Sequence, residues 1–357
     1  RYLGGGLSKS THSWSEANVD DGVFDPPPNG SRRAINMNHL GRALTDPAMD
    51  PPVKALFVWN GNPVVTVPNA SLIRKGLERD DLFTVVSEQF MTDTARYADV
   101  VFPATTQLEQ VDVVTAWGHV YLGWNEQAIA PRGEAVPNTE LWRRLAAALE
   151  FDDEDLFESD LSLIESAVSG IDLDVLRSKG MVRADVPEVL LPYAEGGFAT
   201  ASGRAELYSE AMEAEGLDPL PTYHPATEGP TGPLAERFPL SLMTPKHHTR
   251  FLNSSYSHLP KHGPRENGPF VEMDPADADS RGISEGDEVA VWNDRARLRL
   301  PVVISDRLRP GVVSVPFGWW SDDHGEPVTA NSLTSDTLTD WGGGVAYLDT
   351  LVEVSSI

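Results

Sequence analysis

Residues 53–63 read VKALFVWNGNP, an unbroken apolar run that stops at a cluster of turn residues. A strand buried on both faces of a parallel sheet has this character, because neither face meets water. The pattern recurs downstream: LFTVVSEQ (82–89) and ADVVFPAT (98–105) read as second and third strands, with helices expected over 71–79 and 92–97. Strand, turn, helix and strand at this spacing predict an α/β layer built on a parallel sheet. Ligands in such sheets gather at the carboxyl ends of the strands, which selects residues 60–63, 87–89 and 103–106. Farther on, NTELWRRLAAAL (138–149) has an Asn cap, an early Glu and apolar residues at helical spacing, and predicts a helix. Upstream, GGG at 4–6 and PPP at 26–28 break any periodicity, and a short helix is expected only over 33–44.

Beyond this layer the composition shifts twice. Residues 151–236 read as a connecting region, in which 151–170 hold seven acids and no Lys or Arg, as an acidic helix pair or a solvated face would. Residues 196–208 suggest a turn and then strand-like alternation, and 219–233 are rich in Pro, Gly and Thr. After Arg237, short strands broken by GD, ND and RPG turns, with one helix over 275–281, predict a closed β-barrel. The expected division is an α/β domain over 1–150, a connector without its own core over 151–236, and a barrel over 237–357.

The 357 residues carry a formal net charge of −26, which argues against nucleic-acid binding and against anionic membrane surfaces. No apolar run is long enough to cross a bilayer, so no direct membrane insertion is expected, and a cytoplasmic location follows as an expectation. The absence of cysteine excludes disulfides, Fe–S ligation and thiol catalysis within this stretch. Arg outnumbers Lys 22 to 6, which together with the acidity allows a salt-loving host. Against this acidity, residues 237–265 hold no Asp or Glu but five Lys or Arg and four of the nine His. A basic island in an acidic chain suits an anionic ligand, while a solvated loop is the plainer explanation. Zinc is not expected at His247 and His248: neighbours on one strand point to opposite faces, and no acid in the window completes a site.

Several segments share their order with a known family. They are KALFVWNGNP (54–63), LFTVVSEQFMTDTARYADVVFPATTQLEQVD (82–112), GFATASGRAELYS (197–209), VEMDPADADSRGISEGDEVAVWNDRARL (271–298), RPGVVSVPFGWW (309–320), NSLT (331–334) and LVEV (351–354). Together the chain resembles, over roughly 53–357, the carboxyl-terminal half of the molybdopterin oxidoreductases of the dimethyl sulfoxide reductase family. WGHVYLGWNEQAIAPRGEAVPNTELWRRLA (117–146) and LTDWGGGVAYLDTLVEV (338–354) look most like a subgroup of cytoplasmic anaerobic dehydrogenases. The resemblance implies an α/β domain followed by a double-psi β-barrel. It also implies a bis(molybdopterin guanine dinucleotide) cofactor with molybdenum or tungsten, and two-electron chemistry by oxygen-atom or hydride-equivalent transfer. The family's cysteine motif for a [4Fe–4S] cluster and its metal-ligand region are absent, EQVDVVTAWG (109–118) replaces its E-x-x-G-T-x-x-N, and Ala296 stands where it has Gly. The partners implied are therefore the missing amino-terminal half of the same enzyme and an electron-transfer subunit. A non-catalytic cofactor-binding or subunit-packing module from a truncated or split enzyme is the alternative.

The resemblance also distributes roles. Asn60, Gly61, Asn62 and Pro63 would lie against pterin and pyrophosphate, and a bare GNP is otherwise an ordinary turn. Glu88 and Gln89 would accept from guanine or ribose at the next strand end. Thr92 and Asp93 would follow, though both also suit helix capping. Thr244, Lys246, His247, His248 and Thr249 form the loop after the barrel's first strand, which contacts pterin and phosphates in the family. Asn331 of NSLT matches a cofactor-contacting Asn. His119 suits either the substrate funnel or a packed core, and Trp319 and Trp320 suit barrel packing. No residue is assigned as catalytic or as a metal ligand.

Overall fold

A computed structural model of the chain describes residues 35–115, 119–168, 170–184, 186, 188, 189, 191, 193, 197–247, 254, 257, 259, 268–339 and 342–357. The described residues fold as two compact units: 35–102 join those from 224 onward, and those within 103–223 form the other.

In the first unit, β1 (Ala55–Trp59) pairs in parallel with β2 (Phe83–Glu88), Ala55 opposite Phe83 and Trp59 opposite Ser87. Strand β3 (Val100–Pro103) completes the three-stranded sheet on the far side of β2. The crossover from β1 to β2 is made by helices Pro63–Thr66 and Ala70–Leu77. Their apolar side chains Val64, Val67, Ile73 and Leu77 pack with Leu44 of helix Leu40–Thr45 and with Leu82. Gly76 lets the two longer helices touch, since a Cβ there would sit 2.4 Å from the Leu44 Cβ. The expected third-strand and crossover elements form, but the short helix near 92–97 shrinks to one 3-10 turn, Ala95–Tyr97.

The same unit contains β7 (Leu240–Met243), β8 (Val271–Met273), β9 (Glu288–Trp292), β10 (Arg297–Ile304), β11 (Val312–Ser314) and β12 (Leu351–Ser356). These close a barrel in the order β10-β8-β11-β7-β12-β9. The pairs β8–β10 and β7–β11 are parallel and the remaining contacts antiparallel. Two interleaved parallel crossings within one closed six-stranded barrel define the double-psi topology. Strand β10 shows why it closes: Leu298, Leu300 and Val302 are buried, while Arg297, Arg299 and Pro301 alternate outward. Helix Pro275–Arg281 occupies its predicted span, with the Asp274 side chain capping Ala276 N–H, Pro at the first turn and Gly282 at φ 66 to end it.

The second unit is a sheet of β4 (Asp112–Val114), β5 (Tyr121–Asn125) and β6 (Met181–Arg183), antiparallel throughout. Helices Asp160–Ala167 and Leu173–Lys179 cover it, burying Ile164, Val168 and Leu176 against Leu122. The expectation that 151–236 lacks a core therefore fails. The acids dominate the composition of 151–170, but Ile164 and Val168 lie one helical turn apart and share the opposite face. The strand-like reading of 196–208 fails too. Gly197 and Gly203, at φ 81 and 66, bend the chain into turns, and no strand forms among the described residues there. Helix Asn138–Ala148 forms over nearly the predicted span, but Asn138 is its first residue rather than its cap, which is Pro137 with no side-chain capping bond.

Candidate functional site

The carboxyl ends of β1 and β2 bring the first group of predicted residues together. Asn60 takes a left-handed backbone conformation at φ 54, which turns the chain off β1 and is a geometry Asn tolerates. Asn62 and Pro63 are buried, whereas Asn60 is exposed and Gly61 lies between. The Asn62 amide is tied to the segment after β2: its Oδ1 accepts from Thr94 N–H at 3.2 Å and from the Thr94 hydroxyl at 2.7 Å. That hydroxyl in turn accepts from Val64 N–H at 3.1 Å. Asn62 Nδ2 and, at the end of β2, Ser87 Oγ are buried with no hydrogen-bond partner among the described residues. Buried polar atoms are rarely left so, and each costs about 1–3 kcal/mol until a partner arrives. Glu88 is half-buried beside them, and burial pushes its carboxyl up despite N–H donation from Gln89 and Phe90. Gln89 is exposed.

The second group joins the α/β layer to the barrel. Asp93 accepts from Ser321 N–H at 2.8 Å and from its hydroxyl at 2.7 Å. Arg74 lies behind it, buried, its Nη2 4.0 Å from Asp93 Oδ2, with the guanidinium donating to Ser321 and Ser332 hydroxyls. Burial holds the Arg74 guanidinium below its ordinary value, and Tyr97 and Asp93 counter that only in part. Asn331 donates from Nδ2 to the Val65 carbonyl at 2.7 Å and accepts from Thr334 Oγ1 at 3.2 Å. Thr92 caps the turn that follows, its hydroxyl accepting from Ala95 N–H at 3.2 Å. Thr92, Asp93 and Asn331 thus spend these polar atoms on protein partners.

On the barrel side, Thr244 and Lys246 follow β7. Lys246 is exposed and bridges to Phe317, and Phe317 N–H donates to the Pro245 carbonyl at 3.1 Å. His247 is buried, its ring edge-on to Trp319 at 5.5 Å. His248 and Thr249 lie outside the described residues, as does most of the basic island. Among the described residues no group of His, Cys, Asp and Glu could hold a metal ion.

In the second unit, Glu109 opens the segment that departs from the family motif. Its Oε2 accepts from Thr106 N–H and hydroxyl at 2.8 and 2.9 Å, and its Oε1 from Arg132 N–H at 2.8 Å. These donors hold its carboxyl below the usual range. His119 is exposed, its Nδ1 accepting from Tyr121 N–H at 3.2 Å, so it is not a packed core histidine. Residues missed by sequence reasoning are Thr94, Arg74 and Ser321, while Ser87 falls within the strand end selected from the sequence. Thr94 alone had a signal, as the second Thr of TDT beside a strand end.

The structure thus joins a parallel α/β layer, whose strand ends carry polar loops, to a double-psi barrel. Residues 33–148 match the family model "Molybdopterin oxidoreductase" and 240–351 match "Molydopterin dinucleotide binding domain". The chain belongs to the molybdopterin oxidoreductases. It is 38% identical over 333 residues to the probable oxidoreductase YoaE of Bacillus subtilis, covering 91% of this chain and 47% of that relative. It is 27% identical to the dimethyl sulfoxide reductase DmsA of Escherichia coli, over 87% of this chain and 42% of that protein. The solved structure of acetylene hydratase from Pelobacter acetylenicus superposes with a TM-score of 0.77 at 26% identity, covering 91% of this chain and 47% of the other. The chain spans about half the length of the curated relatives it matches. No helix among the described residues is long and apolar enough to cross a membrane.

Proposed function

We propose that this chain is the cofactor-binding, carboxyl-terminal portion of a two-electron oxidoreductase built around bis(molybdopterin guanine dinucleotide) with molybdenum or tungsten. The observation that carries the reading is the pair of unpartnered buried polar atoms, Asn62 Nδ2 and Ser87 Oγ, at adjacent strand ends of a molybdopterin oxidoreductase layer. A donor and a hydroxyl in that position fit a ligand rich in phosphate and carbonyl oxygens. Asn60, Gly61, Asn62 and Pro63 would hold pterin and pyrophosphate, and Glu88 with Gln89 would receive guanine or ribose. Thr244, Lys246, His247, His248 and Thr249 would approach from the barrel. Thr92, Asp93 and Asn331 would support the site by joining its two walls rather than by direct contact.

The bound centre would supply the oxygen-atom or hydride-equivalent transfer, and the protein the binding, orientation and electrostatics. A [4Fe–4S] cluster and the protein ligand to the metal would come from an amino-terminal region. An electron-transfer subunit and a cytoplasmic setting complete the proposal, with the α/β layer and the barrel as the cofactor-facing parts. The test is to express the full-length protein with molybdate and measure molybdenum and acid-released guanine nucleotide per chain. Purified protein with neither overturns the reading. The isolated 357-residue chain should show no turnover with S-oxide, N-oxide, nitrate or formate. Reproducible molybdenum-dependent turnover by that chain would remove the need for the amino-terminal region.

A further inference from the structure

Asn62 is 5% exposed and Thr94 0% exposed, and their contacts form a one-way relay. Val64 N–H donates to the Thr94 hydroxyl, which leaves that hydroxyl's hydrogen free to point at Asn62 Oδ1, 2.7 Å away. Thr94 N–H aims at the same oxygen from 3.2 Å. Two donors converging on one end of the amide decide its orientation, because flipping it would set the NH2 group against the Thr94 N–H. The NH2 group is thereby turned away from Thr94, and it is this group that has no acceptor among the described residues.

We infer that Thr94 is a positioning residue, holding the Asn62 amide so that Nδ2 donates to an oxygen of the bound dinucleotide. The inference rests on the cofactor reading above. It assigns to Thr94 a task distinct from helix capping, since the cap of the following turn is the Thr92 hydroxyl. It also explains why a buried donor is tolerated without a partner: the donor is oriented in advance for a ligand atom.

The experiment uses the full-length protein expressed with molybdate, as parent, Asn62→Asp, Thr94→Val and Thr94→Ser. Molybdenum and acid-released guanine nucleotide are counted per chain, and the cofactor-free forms are melted in parallel. Asn62→Asp keeps the shape and both acceptor contacts with Thr94, but replaces the free donor with an anionic oxygen. Its cofactor content should fall about tenfold or more, the usual weight of one charge-assisted hydrogen bond, and the cofactor-free melt gives separately the cost of burying the carboxylate. Thr94→Val should lose a similar amount, and Thr94→Ser, which retains the hydroxyl, should restore content close to the parent. A loaded parent beside an equally loaded Asn62→Asp overturns the inference alone. So does Thr94→Ser losing as much as Thr94→Val. A parent without molybdopterin overturns the cofactor reading and this inference with it. If Thr94→Val fails to fold, the Asn62→Asp and Thr94→Ser results decide.

Discussion

Asn331 was legible in the sequence as a residue of consequence, but not for the reason the structure gives. Its side chain satisfies a carbonyl in the neighbouring layer, so Asn331→Ala should strand Val65 O and cost about 1–3 kcal/mol by thermal or urea unfolding of the cofactor-free protein. An unchanged melt with lowered cofactor content would instead return Asn331 to direct binding. Asp336 offers a second test. Burial alone would raise its carboxyl, but the Arg42 guanidinium, bonded at 2.7 and 3.0 Å, outweighs this and holds it below the usual range. A depressed folded-state pKa contributes stability above the unfolded value of about 3.9, and that contribution is lost as pH falls through the folded value. Parent and Asp336→Asn should therefore differ most in melts above that pH and converge in more acidic buffer. Arg42 is 47% exposed at its side chain, so solvent screening limits the gap to about 1 kcal/mol. Sequence reasoning could not see either role, because both depend on partners more than 260 positions away.

At the scale of elements, strands and helices set by local pattern were readable. VKALFVWN announces itself as an apolar run between turns, although β1 proves buried on one face only, NTELWRRLAAAL by helical spacing, and helix Pro275–Arg281 by its Asp-Pro start. What hid was packing. The apolar side of helix Asp160–Ala167 is narrow and surrounded by acids, so composition concealed a core that spacing would have revealed. Gly76 was equally silent. In an exposed helix, Gly→Ala gains about 1 kcal/mol of propensity. Here the new Cβ would press on the Leu44 side chain, and overpacking costs about 1–3 kcal/mol. Gly76→Ala should thus lower the melting temperature, and a rise would mean that the two helices can separate without loss.

For the whole molecule, charge outweighs any single contact. With 54 acidic and 28 basic side chains, mutual repulsion works against the compact state. Raising NaCl from about 0.1 to 1 M shortens the screening length from about 10 to 3 Å. The melting temperature should climb over that range, and a fall would show that surface ion pairs such as Arg237–Asp294 matter more than repulsion. The order of the two domain types was legible because motif follows motif along the chain. The grouping of residues 35–102 with those after 223 was not, since nothing local in a sequence records that two distant stretches fold together.

Strand β12 pairs with both β7 and β9, and no other strand bridges that gap in the barrel. On the ribosome, every other wall is made before it, so the cylinder stays open along one seam until Leu351–Ser356 has been synthesised. A stop codon placed just before that segment would leave β7 and β9 as bare edges, the exposed templates that nascent chains use to aggregate. Translation order thus makes the final strand a latch.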